Sequence, residues 1–243
     1  MRLGTILEHR YELDKPLGKG GMSTTFLAQD LLTGESVALK LVPADSSELR
    51  DLLKTEFVAL MGLSHPHLLE VKDFGQTRLD GEDLCYYAAE LINGVTLDEF
   101  ARDGGKSFAE IEGALGDAIR ALGFLHDLGI VHGDVKPQNI MVDSQGRGTL
   151  IDLGCSRLMG SETVEKDVSG TPGFIPKEVL EGATPDRRSD FVALGITLER
   201  LFPSLSEPPP DSVSELAQKL ASERREERPS DVGEVLELLG MER

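Results

Sequence analysis

The chain is short of cysteine, of positive charge and of long apolar runs. Cys85 and Cys155 are the 2 cysteines in 243 residues, so a disulfide-stapled secreted scaffold is excluded and a reducing, cytoplasmic setting is expected. Lysine and arginine number 25 against 43 aspartates and glutamates, a formal net charge of −18. Such a surface repels a phosphate backbone, which argues against nucleic acid as a partner. The surplus acid serves solubility and does not bear on fold. No apolar run reaches the ~18 residues of a membrane span. The opening MRLGTILEHR lacks the apolar centre and small-residue cleavage site of a secretory signal. No internal repeat occurs, and Pro208 to Pro210 form the one low-complexity spot.

What is present is ordinary globular composition, 40% hydrophobic and 28% charged, enough for two lobes or one large domain. The first part, to about Ile92, reads as strands with one helix. RYELDKPLGKGG and TTFLAQD are strand-like runs around a glycine turn, and ESVALKLV is a β-branched and aliphatic run. Period two puts Ala38 and Lys40 on one face, with Val37, Leu39 and Leu41 on the other. Asp45 and Glu48 then mark a helix start, and Leu49, Leu52, Leu53, Phe57, Leu60 and Leu63 follow helical spacing. Glu56 falls inside that apolar stripe and needs a cationic partner. LLEVKDFG and LCYYAAELI are two more strands around the polar turn QTRLDGED, and NGVTL closes the sheet. From there the chain turns helical. Ser107 and Glu110 form a capping box, Ile111, Leu115, Ala118, Leu122 and Leu125 an apolar face, and Gly129 a stop. SDFVALGITLERLF is apolar nearly all round, as a buried helix is; SELAQKLASE and SDVGEVLELLG are the last two helices.

Several residues carry chemistry. Gly18 and Gly20 lie between two strands, where bare backbone lets N–H groups approach phosphate oxygens. Lys40 on a strand and Glu56 on the next helix suit the ion pair that orients nucleotide phosphates. In HGDVKPQN, Asp134 can accept a proton from an alcohol, Lys136 can steady a transferring phosphoryl group, and Asn139 can offer an amide oxygen to a metal. Asp152, at the end of the apolar run in LIDLG, suits Mg²⁺ shared with substrate phosphates.

With these elements in order from Tyr11 to about Leu239, the sequence resembles the bacterial eukaryotic-like (Hanks-type) Ser/Thr protein kinases. The resemblance implies an α+β, two-lobed protein kinase fold. Residues 1–92 would form a small N-lobe of antiparallel sheet with the family's C-helix. Residues 93–243 would form a larger, mainly helical C-lobe lacking most of the family's G-helix. It implies ATP, with Mg²⁺ or Mn²⁺, and a protein substrate. Leu17, Gly18, Gly20, Ser23 and Thr25 match the phosphate loop, and Ala38 with Lys40 the strand that follows. Ala89 matches the gatekeeper; the carbonyl of Glu90 and N–H of Ile92 match the hinge that reads adenine. Asp134 and Lys136 match the catalytic loop, Asn139 and Asp152 the metal ligands. Thr171, with Lys136, is the Ser/Thr-specific pattern. Asp190 matches the anchor of the F-helix, and Glu178 with Arg228 an ion pair under the peptide-binding loop.

Departures from the family carry expectations of their own. The arginine before the catalytic Asp is Gly133, so phosphorylation at Ser161, Thr163 or Ser169 finds no charged receptor. Activity is expected to depend little on that phosphorylation, and autophosphorylation is expected. Ala89, small for a gatekeeper, predicts an apolar pocket open to bulky purine analogues. Cys155 reads as a small apolar residue, and His65 and His67 as a structural turn, not a metal site. A pseudokinase scaffold and a kinase-fold small-molecule phosphotransferase are the rival readings. The sequence leaves open a homodimer, and whether the chain is a whole protein or a catalytic part.

Overall fold

Alternation in one strand organises the first part of the chain. Val37, Leu39 and Leu41 are buried while Ala38 and Lys40 are half-buried, so the apolar face expected from period two is the face that packs. A computed structural model describes residues 4–19, 23–44, 54, 57, 61–160 and 170–242. Two compact units result, Met1–Ser64 with Leu69–Ile92, and His65–Leu68 with Asn93–Arg243.

In the first unit the strands are β1 (Ile6–Leu7), β2 (Tyr11–Lys19), β3 (Thr24–Asp30), β4 (Ser36–Pro43), β5 (Val71–Leu79) and β6 (Glu82–Glu90). They form one antiparallel sheet in the order β1-β2-β3-β4-β6-β5. Tyr11, Leu13, Phe26, Leu39, Leu41 and Tyr86 fill its core. A charged tie closes it: Arg10 donates to Asp30 at 2.8 Å and to Asp73 at 2.8 Å, and the Tyr11 hydroxyl donates to Asp73 at 2.7 Å. The Arg10 hydrogen bond holds the Asp30 carboxyl down to about 2. Of the helix expected after Asp45, Lys54 and Phe57 are helical, and Phe57 stacks on Phe74 at 4.7 Å. Asp45, Glu48, Leu49, Leu52, Leu53, Glu56 and Leu60 lie outside the described residues.

Two expectations need correction. The polar stretch QTRLDGED is mostly strand, because β5 is an edge strand with one face to water and tolerates polar side chains. Only Asp80–Gly81 turns, with φ of 53° and 90°, the signature of a two-residue hairpin. The segment NGVTL does not close that sheet either. Its strand β7 (Gly94–Thr96) belongs to the second unit and pairs there with β9 (Ile140–Asp143), which follows β8 (Ile130–Val131). Gly94 permits this: a Cβ there would lie 2.1 Å from the Val142 carbonyl oxygen.

The second unit continues with β10 (Gly148–Leu150) and β11 (Arg157–Leu158). Its helices are α1 (Leu97–Arg102), α2 (Phe108–Asp127), α3 (Lys177–Leu180), α4 (Arg187–Leu201), α5 (Asp211–Leu220) and α6 (Val232–Leu238). The Ser107 capping box starts α2, with the Ser107 N–H donating to Glu110 at 2.9 Å. Gly129, at φ 74°, ends it. Asp186 caps α4 by accepting from the Arg188 N–H at 3.0 Å, and α4 is buried along Phe191, Leu194 and Leu198. α5 begins at Asp211, ahead of the expected Ser214, because Pro210 occupies its N-cap. Between α4 and α5, residues 202–210 hold one 3₁₀ turn, Phe202–Ser204, where a further helix was expected to be largely missing. No helix among the described residues is long and apolar enough to cross a membrane.

The Gly94→Ala variant is expected to push β7 off β9. Overpacking of about 1–3 kcal/mol lowers Tm by roughly 2–4 °C per kcal/mol in a chain of this size, which differential scanning calorimetry resolves.

Candidate active site

The site is built on a buried carboxylate far from it in sequence. Asp190 on α4 is 1% exposed. Its Oδ2 accepts from the His132 backbone N–H at 2.9 Å, and Oδ1 from the Gly133 N–H at 2.8 Å. His126, at the end of α2, donates Nε2–H to Oδ2 at 2.8 Å. These bonds fix the backbone just after β8. The His132 ring then spans the loop: its Nε2 donates to the Ile151 carbonyl at 3.1 Å, and its Nδ1 accepts from the Asp134 N–H at 3.2 Å.

Held this way, Asp134 faces three donors. Lys136 Nζ reaches Oδ2 at 2.6 Å, Asn139 Nδ2 reaches the same oxygen at 2.9 Å, and the Thr171 N–H reaches Oδ1 at 2.9 Å. Lys136 Nζ also donates to the Thr171 hydroxyl at 2.7 Å. Burial pushes the Asp134 carboxyl up, but its bonds to Lys136, Thr171 and Asn139 outweigh burial and hold it below its ordinary value. The group is an ionised carboxylate at neutral pH, with a cation beside it.

Asn139 ends the 3₁₀ turn Pro137–Asn139. Its amide nitrogen donates to the Asp134 carbonyl at 2.8 Å as well as to the carboxylate, which leaves the amide oxygen as the atom able to meet a cation. The Asn139 carbonyl accepts from the Ile151 N–H at 2.8 Å. That bond is in register with the β9–β10 pairs; β10 ends at Leu150, so Asp152 lies two residues beyond the strand it was expected to end. Asp152 has φ 61°, the left-handed region that redirects a chain sharply. One amide oxygen and one carboxylate are a donor set that fits Mg²⁺ shared with phosphate oxygens.

Gly133 has φ 78°. A Cβ there would lie 2.5 Å from the Cys155 carbonyl oxygen, and a Cβ on Gly170 would lie 2.9 Å from the Gly133 carbonyl oxygen. The space a side chain at 133 would leave through is occupied by backbone. Below this segment, Arg228, 4% exposed, makes paired hydrogen bonds to Glu178 on α3. Burial pushes the Glu178 carboxyl up, but Arg228 outweighs it and holds it below its ordinary 4.5.

The remaining candidates lie in the first unit. Lys40 is half-buried on the Ala38 face of β4, its ammonium 5.7 Å from the Tyr87 ring centroid. In register it faces Thr25 on β3 and Tyr87 on β6, and Thr25 in turn faces Gly18 on β2. Leu17 is 46% exposed and Ser23 half-buried. Ala89 faces Ala38 and is fully buried. The Glu90 N–H donates to the Glu70 carbonyl at 3.0 Å, its side chain accepts from the Glu70 N–H at 3.0 Å, and Ile92 ends the unit half-buried. Gly20 and Glu56 lie outside the described residues, as do Ser161, Thr163 and Ser169. His65 stacks on Phe124 at 5.2 Å, and His67 Nδ1 meets the Gly148 carbonyl at 3.0 Å.

The structure thus brings Asp134, Lys136, Asn139 and Thr171 into one hydrogen-bonded cluster, with Asp152 tied to it through Ile151. Sequence reasoning missed His126 and His132. A signal existed for His126: it lies four residues after Leu122, on the core face of α2, where a polar ring needs a partner.

The sequence profile described as "Protein kinase domain" matches residues 11–233. A probable serine/threonine-protein kinase of Corynebacterium efficiens is 32% identical over 239 residues, covering 95% of this chain and 36% of that protein. Serine/threonine-protein kinase PknB of Mycolicibacterium smegmatis is 36% identical over 213 residues, 84% of this chain and 33% of its own length. PknB of Mycobacterium tuberculosis is 35% identical over 216 residues, again 84% and 33%. The chain spans about a third of the length of these relatives.

Asp190→Asn keeps the shape but replaces a carboxylate that only accepts. About 3 kcal/mol follows from weakening charged hydrogen bonds, and Tm is expected to fall by roughly 6–12 °C in thermal melts. Glu178→Gln is expected to cost about 1–3 kcal/mol at pH 7 by leaving buried Arg228 without its charged acceptor. The folded Glu178 pKa is depressed, so its contribution is complete above 4.5 and is lost as pH falls through the folded value. The stability gap between wild type and variant therefore closes as pH falls from 4.5 through the folded value, measured by urea melts across pH.

Proposed function

Since this chain belongs to the protein kinase domain family, we propose that it is an ATP-dependent protein-serine/threonine kinase. The observation that carries the reading is the triangle of Asp134, Lys136 and Thr171, in which each pair is hydrogen-bonded. Asp134 orients the acceptor hydroxyl and takes its proton as the acceptor oxygen bonds to the γ-phosphorus. The bond from that phosphorus to the β–γ bridging oxygen breaks, and ADP leaves with the bond's electrons. Lys136 steadies the negative charge on the transferring group. Asn139 and Asp152 hold Mg²⁺ or Mn²⁺, which when bound neutralises charge on the phosphate oxygens. On the first unit, Lys40 with Glu56 grips the α- and β-phosphates. Gly18, Gly20 and Ser23 cover the phosphates with backbone. Leu17, Thr25, Ala38 and Ala89 line the base, and Glu90 O with Ile92 N–H reads adenine. Catalysis is positioning and electrostatics more than covalent chemistry.

The kinase also autophosphorylates, and it depends little on phosphorylation of Ser161, Thr163 or Ser169. The closed backbone at Gly133 supports this, because no guanidinium can stand at that position to receive a phosphate. The relatives named as serine/threonine-protein kinases support the reaction class.

The test is incubation with labelled ATP, Mg²⁺ and a mixed-sequence Ser/Thr peptide library. Wild type is expected to label peptide; Asp134→Asn is expected to lose activity by about 10³-fold or more, the order of general-base and positioning contributions. Absence of labelling by wild type, or equal labelling by the variant, overturns the kinase reading. Complete dephosphorylation is expected to change turnover by less than about tenfold, against the 10³–10⁵-fold that a charge-stabilising arginine supplies elsewhere.

A further inference from the structure

Arg200 is the last charged residue of α4 and is exposed. It has no hydrogen-bond or ion-pair partner among the described residues, in a chain with 43 acids to 25 bases. By contrast Arg10, Arg102, Arg147, Arg225 and Arg228 are all paired with carboxylates. What Arg200 does have is a platform. Its guanidinium carbon stands 4.2 Å from the centroid of the Phe174 ring, and Phe174 is 3% exposed. Phe174 closes a turn whose N–H donates to the Thr171 carbonyl at 3.0 Å. Pro172 and Gly173 form the exposed crest of that turn. The guanidinium presses against the crest: a Cβ on Gly173 would lie 2.9 Å from Arg200 Nη2. Thr171, at the other end of the turn, carries the hydroxyl bonded to Lys136 beside Asp134.

We propose that Arg200 is a specificity residue that selects an acidic side chain on the substrate peptide, a few residues from the accepting hydroxyl. The inference rests on the kinase reading above and names its substrate class. A turn of this kind spans less than ~7 Å, and an extended peptide advances ~3.3 Å per residue. An acidic side chain two to four positions from the acceptor therefore reaches the guanidinium. Stacking on Phe174 holds the planar fork in place, so less rotamer freedom is lost when it clasps a carboxylate with two parallel N–H donors. The overall charge of −18 opposes an acidic peptide, but charges beyond a Debye length of ~8 Å are screened at physiological salt. At contact, Arg200 and Lys136 dominate, with exposed Lys177 following on α3.

The experiment scans one Ser peptide with Glu, Ala or Lys placed singly at each of four positions on either side of the acceptor. The readout is the ratio of kcat/KM to that of the all-Ala peptide. For wild type, Glu at one or two positions raises the ratio about fivefold, the fold-change of a well-placed exposed ion pair, and the gain shrinks at high salt. Arg200→Ala abolishes the gain, Arg200→Lys keeps part of it, and Arg200→Glu moves the preference to Lys at the same position. A merely structural arginine would not produce that reversal. Fluorescence polarisation of the Glu peptide on Asp134→Asn, with and without Arg200→Ala, reads binding without turnover. Arg200-dependent binding with no phosphoryl transfer in wild type sinks the kinase reading, and with it the peptide's role as substrate, and leaves Arg200 as an acidic-peptide contact alone. Transfer with a Glu preference that survives in Arg200→Ala, or with no preference at all, overturns this inference and leaves the kinase reading standing.

Discussion

One carboxylate sets the geometry on which the second unit's chemistry depends. Asp190 accepts two successive backbone N–H groups and a histidine N–H, all in the interior. A buried carboxylate is tolerated only when its lone pairs are met, and here meeting them is what bends the chain after β8. Asp134 follows within two residues, and its own partners, Lys136, Asn139 and the Thr171 N–H, then have one place to be. The order of dependence runs from α4 to the loop and from the loop to the Asp134 carboxylate.

The charges divide by role. Asp134 is kept ionised by neighbours that outweigh its burial, and its lysine serves both it and Thr171. Asp190 and the Glu178–Arg228 pair make no hydrogen bond to Asp134; Asp190 holds the two residues just before Asp134, and Arg228 holds Glu178. The first unit has its own tie in Arg10, Asp30, Asp73 and Tyr11, so each unit is braced separately by hydrogen-bonded ionic groups.

Much of this was legible in the sequence because its signals are local. Alternation around Lys40, the Ser107 capping box, the Gly129 stop and the Asp134-to-Asn139 cluster each lie within one element. The wrong readings share a cause. The partner strand of NGVTL lies 45 to 49 residues on and leaves no local mark, since Gly94 signals a close approach without naming what approaches. The Asp80–Gly81 hairpin was readable from the dipeptide but was hidden by polar neighbours that an edge strand accepts. The His126–Asp190 bond spans 64 positions, and only the folded chain brings its two ends together. The Glu56 partner of Lys40 was read from spacing and stays an inference from it.

Gly133 also bears on how such a chain can change over time. A Cβ on it would lie 2.5 Å from the Cys155 carbonyl oxygen, so the backbone of a second segment has settled into room that a side chain would need. Substituting an arginine there would require the backbone at residue 155 to give way and a left-handed φ of 78° to be tolerated. A side chain at 133 therefore comes only with a shift of that second segment, whereas a change at an open position needs none. Packing alone thus shields position 133 from substitution.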